Sequence, residues 1–407
     1  MVRNRDDRPP SVAIACGMAL SLPRSLALVL CMSAAGCAGR VTLLPPPEMV
    51  AVPPGKGDFK VRTLAAIDPT RPLAADGAGQ TLSLFGREDL IAATSNDYKP
   101  VVCPPVAGEV VATIVQRARQ TSIVIVNESH ERSEHRGFTA RVARALRPLG
   151  YDVLAMETLS NPALGTPAKF LPPYLKRPDQ PYLEDSDGYY LHEAGFGRLG
   201  RQAKALGYRL LPYEERFSGS AAALSLEEGI TRRETAQAEQ LAAFVFANPG
   251  AKLLVHVGYS HATEVPRANG QKWMATRLKA LTGIDPLTMS QTTCRGGGGR
   301  ERLAQLPTSE PAGTFDLIVD HPTARFVRGR PAWRIAAGDR AVSIPRALYP
   351  TSGWRIVEAR PVGESEASVP MDRVAIRPDE DVALLLPPGR YRLKLVDVPY
   401  APKQPTP

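Results

Sequence analysis

Residues 121–159, TSIVIVNESHERSEHRGFTARVARALRPLGYDVLAMETL, decide the fold. The β-branched apolar run at 123–126 has the length and composition of a buried strand, and it stops abruptly at five polar residues. An amphipathic helix is predicted up to Gly150, and a second strand at 152–156 ends on Glu157. Ligands bind at the carboxyl ends of the strands in open parallel sheets. We therefore expect a site at this edge.

The rest of the chain continues the alternation of strands and helices. Further apolar runs predict strands at 208–211, 252–257, 286–290 and 315–319. From about residue 335 the pattern changes to short strands separated by Pro, Gly and Asp turns. We predict an α/β fold with a mainly parallel sheet flanked by helices, followed by a small all-β C-terminal module.

The composition divides the chain into four parts. Much of the Pro content of 39 residues lies near the ends and in connections, and residues 41–57 are typical of an extended spacer. Before the first strong strand, short strand-like pieces at 59–61 and 81–84 indicate an irregular extension. The predicted parts are a signal peptide (1–36), a Pro-rich tether (37–57), the α/β domain with its N-terminal extension (58–335) and the β-rich module (336–407).

The first 37 residues have the pattern of a secretory signal. A flank with three arginines precedes a short apolar core at 25–32, and small residues lead to Cys37. The segment Ala34-Ala35-Gly36-Cys37 is similar to a bacterial lipobox, although Ala34 replaces the usual Leu. This similarity implies lipidation of Cys37, and a plain signal peptide cut nearby is the alternative. We expect a lipid-anchored protein of the cell envelope, at the outer membrane on its periplasmic or surface side.

Charge and cysteines restrict the function classes further. The formal charge is +9, and removal of 1–36 takes away four Arg and two Asp to leave +7. No Lys/Arg block of the nucleic-acid-binding type is present, so we expect no nucleic-acid partner. Beyond Cys37, the cysteines are Cys103 and Cys294, which in an exported protein suggest one disulfide. Two unpaired thiols are the alternative.

Titratable residues follow several of the predicted strands. Glu128 and Glu157 end strands, His130 and His261 come just after strand ends, and His135 lies in the first turn of the next helix. Imidazoles grouped with carboxylates suit either a divalent metal site or paired acid/base catalysis.

For four other residues the sequence gives less indication of a place in the site. Arg233 precedes an apolar helix face and would hold an anionic substrate or Glu157. His256 and His192 are expected in the core, and His321 in a turn.

The stretch 127–159 resembles the opening motif of an α/β superfamily that includes ChaN-like haem-binding lipoproteins, erythromycin esterases and TIKI/TraB proteins. In these families one strand ends in Gly-Glu-x-His, a later strand ends in Glu, and a last strand ends in Gly-x-x-His, here Gly258-Tyr259-Ser260-His261. The resemblance covers about 120–293, and Asn127 departs from it where the family has Gly. It implies that the site residues are Glu128, His130, His135, Glu157, Arg233 and His261.

Two functions follow from this resemblance. The first is an esterase- or metalloprotease-like hydrolase acting on a small-molecule or peptide substrate, with His130 as general base. If the enzyme uses a divalent metal, His130, Glu128 and His261 would hold it, but similar esterases work without a metal and this choice stays open. Glu157 would orient the base and Arg233 would bind substrate charge. The alternative is a haem- or iron-binding surface lipoprotein without catalysis, in which Tyr189, Tyr190 or Tyr213 supplies an axial oxygen.

Overall fold

The computed structural model describes residues 39–53, 56–74, 77–216 and 224–402. The predicted signal peptide and Cys37 lie outside these ranges. The described residues from Arg40 onward form one compact unit. Within the described ranges, no helix combines the length and apolarity needed to cross a bilayer.

The strands of the described residues are numbered in chain order. They are β1 (Val41–Ala51), β2 (Pro105–Val106), β3 (Ile123–Glu128), β4 (Tyr151–Met156), β5 (Arg209–Leu211), β6 (Lys252–Gly258), β7 (Leu287–Ser290), β8 (Arg302–Ala304), β9 (Leu317–Asp320), β10 (Phe326–Val327), β11 (Arg330–Pro331), β12 (Arg340–Ser343), β13 (Trp354–Pro361), β14 (Asp372–Ile376), β15 (Ala383–Leu386) and β16 (Gly389–Val398).

The α-helices are numbered in the same way. They are α1 (Phe59–Ala65), α2 (Ala78–Leu84), α3 (Glu88–Ile91), α4 (Val110–Arg117), α5 (Ser133–Leu146), α6 (Pro173–Lys176), α7 (Ala194–Ala205), α8 (Leu226–Ala247), α9 (Met274–Thr282) and α10 (Ala332–Ala336).

An eight-stranded sheet forms the centre of the α/β part, in the order β2-β8-β9-β7-β3-β6-β4-β5. The six strands from β9 to β5 are parallel to their neighbours, and β8 and β2 are antiparallel additions at one edge. The predicted fold class is therefore confirmed. Strand β3 is central, with β6 and β7 on its two sides, so the residues after β3 and β6 are neighbours.

Side-chain alternation along β3 separates the two faces of this sheet. Val124 and Val126 pack with helices α4, α5 and α7, whereas Ile123 and Ile125 pack with α8 and α9. Because successive side chains of a strand point to opposite faces, a fully apolar strand is buried on both sides. The two helical layers therefore fix β3 and its polar end rigidly.

The tether predicted at 37–57 is instead largely a strand. Residues of β1 pair in parallel with β16, and the four-stranded sheet has the order β1-β16-β13-β14. The pairing register shifts between Leu44 and Glu48, around the three prolines 45–47. Proline has no N–H to donate, so it is tolerated on an edge strand, which bonds on one side only.

The N-terminal extension is helical where the sequence predicted strand-like pieces. Helices α1 and α2 cover 59–65 and 78–84, and the Asp58 carboxylate caps α1 by accepting a hydrogen bond from the Val61 N–H at 2.9 Å. Their apolar residues pack around Trp354 of the C-terminal sheet. The indole Nε1 of Trp354 also donates to the Ile67 carbonyl at 2.7 Å. Tertiary packing against the last third of the chain selects the helical conformation.

The Pro-rich segment between β4 and α7 is attached to the C-terminal sheet. The Asp185 N–H donates to the Ala367 carbonyl at 3.1 Å, and the Val369 N–H donates to the Leu183 carbonyl at 2.9 Å. Buried Arg373 donates to the His192 carbonyl at 2.7 Å. The C-terminal module thus holds both ends of residues 183–192.

Candidate functional site

Glu128 and His130 form a pair at the end of β3. His130 Nδ1 lies 3.1 Å from Glu128 Oε1. Glu128 is buried and ends the apolar strand, while the imidazole of His130 keeps a side-chain exposure of 15%. A carboxylate that accepts from Nδ1 fixes the tautomer and leaves Nε2 as the free proton acceptor.

Arg136 of α5 holds the other oxygen of Glu128. Its Nη1 donates to Glu128 Oε2 at 2.9 Å, and His256 Nε2 lies 3.2 Å from the same oxygen. Arg136 also donates to the His130 carbonyl at 2.9 Å. Burial would raise the pKa of Glu128, but the charges of Arg136 and His256 lower it well below its usual range. Glu128 is therefore an ionised, fixed acceptor.

Glu157, directly after β4, joins two strands and a helix. Its Oε2 accepts a hydrogen bond from the Gly258 N–H at 2.6 Å, and its Oε1 accepts one from the Arg233 guanidinium of α8. Arg233 Nε in turn donates to Glu214 Oε1 at 3.0 Å. Burial would raise the pKa of Glu157, but the charges of His261, His130 and Arg233 lower it to about 2. Arg233 is therefore engaged by two protein carboxylates rather than open to a substrate anion.

His261 is oriented by a second buried carboxylate. Its Nδ1 lies 2.7 Å from Oε1 of Glu234, and its Nε2 lies 3.2 Å from Arg233 and 3.7 Å from Glu157. Burial lowers the pKa of His261, but the charges of Glu157 and Glu234 outweigh it and raise the pKa. The site thus holds two imidazoles, each with its own carboxylate.

Gly258 allows His130 and Glu157 to approach the same point. A Cβ at this position would lie 2.7 Å from His130 Cε1, 2.9 Å from His130 Nε2 and 3.1 Å from Glu157 Oε2. Those distances are too short for any side chain, so only glycine fits between the two groups. The last strand-end motif, Gly258-Tyr259-Ser260-His261, therefore contributes a glycine that permits this close contact as well as a histidine.

Two tyrosines hold the His130 ring. Tyr190 stacks on it with 4.5 Å between ring centroids, and Tyr259 meets it edge-on at 5.0 Å. Tyr190 is fixed by its own N–H, which donates to Thr158 Oγ1 at 2.9 Å. The ring is thereby held in one orientation, as a general base requires.

Tyr259 has a backbone φ of 33°, which is uncommon for a residue with a side chain. Its hydroxyl donates to Asp97 Oδ2 at 2.7 Å, and Asp97 also accepts a hydrogen bond from Ser129. Its carbonyl accepts from the Asn127 amide at 2.7 Å. Asn127 thus binds the turn after β6 through its side chain, within a strand, and does not itself take up a left-handed conformation.

Five of the six predicted residues come together in this way, and His135 does not. It is buried, and its Nδ1 accepts a hydrogen bond from the Ser129 N–H at 2.9 Å. Burial and the charge of Arg132 lower the pKa of His135 well below its usual range, so it is neutral. It supports the loop after β3 from the core side, where it stacks on His321. Its place in the first turn of α5 therefore does not bring its side chain to the site, although the sequence pattern predicted that it would.

The three remaining histidines, His256, His192 and His321, lie in three different environments. His256 is buried inside β6, as expected, but contacts Glu128. His192 is partly exposed and lies 3.0 Å from Asp58 rather than in the core. His321 directly follows β9 and is buried, with Nε2 at 2.8 Å from Gln291 Oε1.

The residues proposed for a metal do not fit one. Among the described residues, no three His, Cys, Asp or Glu side chains are arranged to hold a metal ion. Both oxygens of Glu128 are engaged by Arg136, His130 and His256, and both ring nitrogens of His261 face Glu234 or Arg233. A cation would therefore have to displace a guanidinium.

Sequence reasoning considered Tyr190 only as a haem ligand and did not assign to the site several other groups that complete it: Asp97, Ser129, Glu193, Glu214, Glu234 and Tyr259. Tyr259 lies inside the recognised strand-end motif, and Glu234 directly follows Arg233. Their positions in the sequence could therefore have indicated both residues as part of the site. Asp97 and Tyr190 come from irregular segments that have no periodic pattern.

Two cavities share the side chains of Asp97 and Tyr259, and Tyr259 is the ring that meets His130 edge-on. One of about 850 Å³ is lined by residues that follow β6 and β7, including Ser260, Thr263 and Thr292. The other, of about 540 Å³, is lined by Glu131 among others. Both include Asp97 and Tyr259, so the carboxyl edge has room for a substrate larger than a single small group.

The chain matches no protein-family model and no curated protein sequence. Among solved structures, it is similar to the type III effector HopBA1, with a TM-score of 0.35 and 17% identity over 56% of this chain and 99% of that one. A structure of cofacial heme binding to ChaN of Campylobacter jejuni gives a TM-score of 0.35 and 9% identity over 52% and 91%.

The Pasteurella multocida toxin, described with a thiol-protease-like catalytic triad in its C-terminal region, gives a TM-score of 0.32 and 10% identity over 81% of this chain and 53% of that one. Similarities of this size carry no conclusion about function.

Proposed function

We propose that this protein is a hydrolase in which His130 is the general base. The observation that carries the proposal is the 3.1 Å contact between His130 Nδ1 and Glu128 Oε1. It leaves the second ring nitrogen, Nε2, without the carboxylate partner and close to Gly258, where an added Cβ would lie 2.9 Å from it. An oriented imidazole with an ionised partner is the arrangement that activates water or a hydroxyl group in hydrolases.

The reaction that this geometry supports is the addition of water to an ester or amide carbonyl. His130 Nε2 takes a proton from water, the water oxygen bonds to the carbonyl carbon, and the carbon–oxygen or carbon–nitrogen bond breaks. Glu128 stabilises the imidazolium that forms. His130 then gives this proton to the leaving group, and His261, whose raised pKa favours the protonated form, stabilises the negative charge that develops.

Glu157 and Arg233 have positioning roles in this scheme. A carboxylate with a pKa of about 2 is too weak a base to take the proton from water near neutral pH. Glu157 instead fixes the Gly258 backbone and Arg233, which keeps His261 in place. Both residues therefore act through the two histidines.

The haem-binding alternative has less support from the tyrosines. Tyr213 is fully buried and donates its hydroxyl hydrogen to the His256 carbonyl at 2.8 Å. Tyr190 is stacked on His130, and Tyr189 lies under the Lys60 ammonium at 3.3 Å from its ring centroid. The Tyr213 hydroxyl is thus already engaged, and the Tyr190 ring is fixed against His130, whereas the Lys60 contact of the exposed Tyr189 uses its ring face and not its oxygen.

Export and a lipid anchor at Cys37 belong to the same proposal. They are supported by the signal pattern of 1–37 and by the disulfide between Cys103 and Cys294, whose Cα atoms are 5.9 Å apart. Stable disulfides are typical of oxidising compartments outside the cytosol. Metabolic labelling with a palmitate analogue tests the anchor, because labelling should be lost in Cys37→Ser.

The hydrolase proposal is tested with the processed chain on p-nitrophenyl acetate and on a fluorogenic casein. His130→Ala and Glu128→Gln should each lower turnover by about 100-fold or more. His192→Ala is the matched control, because this histidine pairs with Asp58 outside the site. Turnover that survives in His130→Ala, with an unchanged melting temperature, contradicts the proposal. A Soret band in the purified protein would favour the haem alternative instead.

A further inference from the structure

A separate cavity of about 640 Å³ lies between helices α5, α7 and α10. None of the six predicted site residues lines it. Its wall combines the aromatic rings of Phe138 and Trp333 with an unusual number of guanidinium groups. The lining arginines are Arg136, Arg141, Arg144 and Arg198, against the two carboxylates Glu134 and Glu301.

The four guanidinium groups differ in whether a carboxylate neutralises their positive charge. Arg136 is fully buried and engaged by Glu128 and Glu193. Arg141 contacts Glu301. Arg144, in contrast, has no carboxylate partner within the described part of the chain, and its Nη2 donates to the neutral Gln202 side chain at 3.2 Å.

Arg198 lies at the end of a buried ion network that contains more cations than anions. Its Nη2 is 2.8 Å from Asp339, which is also 2.8 Å from Arg334. Arg334 and Arg330 then share a single oxygen of Asp372. In this network the three guanidinium groups of Arg198, Arg334 and Arg330 therefore contact only the two carboxylates of Asp339 and Asp372.

The consequence of this imbalance is visible at Arg198. Its Nη1 is buried and has no hydrogen-bond partner among the residues that the structure describes. Burial and the charge of Arg334 lower the pKa of Arg198 in spite of Asp339. The Arg198 side chain keeps an exposure of 25%, so an anion can approach it from the cavity and offset the charge that Asp339 leaves uncompensated.

We propose that this cavity binds an oxyanion, a phosphate or carboxylate group of a ligand, between Arg144 and Arg198. The planar fork of a guanidinium matches such groups in two-point hydrogen bonds. Trp333 supplies an apolar wall for the part of the ligand that carries the anion. The site is independent of the hydrolase proposal, because it does not involve His130 or His261.

The test is a calorimetric titration of the full chain with inorganic phosphate and, separately, with citrate. Saturable binding of either should weaken about tenfold or more in Arg144→Gln and in Arg198→Gln. Arg209→Gln is the matched control, because Arg209 is an exposed arginine elsewhere, 3.5 Å from Asp152. Arg198→Lys keeps the charge and provides a second variant if Arg198→Gln fails to fold.

The source of the oxyanion is distinguished by vesicles. Binding to phosphatidylglycerol vesicles but not to phosphatidylcholine vesicles, with no response to free phosphate, assigns the site to a lipid headgroup. Binding of free phosphate or citrate alone assigns it to a soluble ligand. The proposal is overturned if no anion binds saturably, or if the arginine variants bind as tightly as the unchanged chain.

Discussion

The side-chain amide of Asn127 donates a hydrogen bond to the carbonyl oxygen of Tyr259 at 2.7 Å. This contact connects the end of β3 to the turn after β6, where Tyr259 has a left-handed backbone. Asn127 Oδ1 also accepts from the Gln291 N–H at 2.7 Å, so one buried side chain links the ends of three neighbouring strands. The Asn that replaces the expected Gly therefore has a structural reason.

Replacing Asn127 by Gly should destabilise the chain, because the Gln291 N–H and the Tyr259 carbonyl would lose their buried partner. We expect a loss on the order of 2–4 kcal/mol in the free energy of unfolding, measured in urea. Asn269→Ala, in an exposed loop, should change it by less than about 0.5 kcal/mol. An equal effect of both substitutions would contradict the role assigned to Asn127.

Gly258→Ala should displace the His130 ring, because the added methyl group would lie 2.7 Å from its Cε1. We expect turnover to fall by about 100-fold while the fold persists, since misplacement of a base by about 1 Å has such effects. The imidazole signals of His130 in NMR spectra should shift as well. Gly229→Ala on α8, where no atom lies within 4 Å, should leave both readouts unchanged.

Glu157 should make stability depend on pH in the acid range. Its pKa falls from 4.5 to about 2 on folding, and a lowered pKa stabilises the fold above the unfolded value. The contribution, roughly 3 kcal/mol, is lost as the pH falls from about 4.5 toward 2.

Urea titrations over this range should give a flatter pH dependence for Glu157→Gln than for the unchanged chain. Glu239→Gln, an exposed position on α8, serves as the control and should retain the full slope. Parallel curves for the unchanged chain and Glu157→Gln would show that Glu157 is not responsible.

Glu234 should determine the alkaline limit of activity. The charges of Glu157 and Glu234 raise the pKa of His261 above 6.5, so the protonated acid persists to a higher pH. In Glu234→Gln the alkaline limb of kcat against pH should move to lower pH, while the acid limb stays in place. A uniform fall in kcat without this shift would mean that Glu234 only stabilises the fold.

Removal of the segment that was predicted to be a tether should be harmful. A chain that begins at residue 58 lacks β1 and exposes the edge of β16, whereas a chain that begins at residue 40 keeps the strand. We expect the shorter chain to melt roughly 5 °C lower or more and to aggregate more readily. Equal melting temperatures would show that β1 contributes little.

The sequence was sufficient for the six parallel strands of the central sheet and for placing five of the six candidate residues near one edge of it. The apolar runs before Glu128 and before Gly258 could only be buried strands, and parallel strands bring their carboxyl ends to one edge. His135 was assigned wrongly to the cluster, because spacing along the chain does not say whether a first-turn residue faces the site or the core. Its Nδ1 meets the Ser129 N–H instead.

Long-range contacts account for the rest. Tyr190 stacks on His130 only because the segment around it is held by the C-terminal sheet, through contacts such as that of Arg373 with the His192 carbonyl. Asp97 reaches Tyr259 from the helical extension. Neither segment has apolar residues at the regular spacing of a helix or strand. Its conformation instead depends on packing partners that are distant in the sequence.

The pairing of β1 with β16 sets an order for the folding of the chain. Strand β1 begins at Val41 and β16 ends at Val398, so the four-stranded sheet pairs two strands that most of the described residues separate along the chain. Closing such a distant pair is slow compared with local helix formation. The sheet cannot be completed until β16 has been synthesised. The segment that carries Tyr190 is held by residues 367–373, so the His130 site is complete only when this distant part of the chain has packed against it.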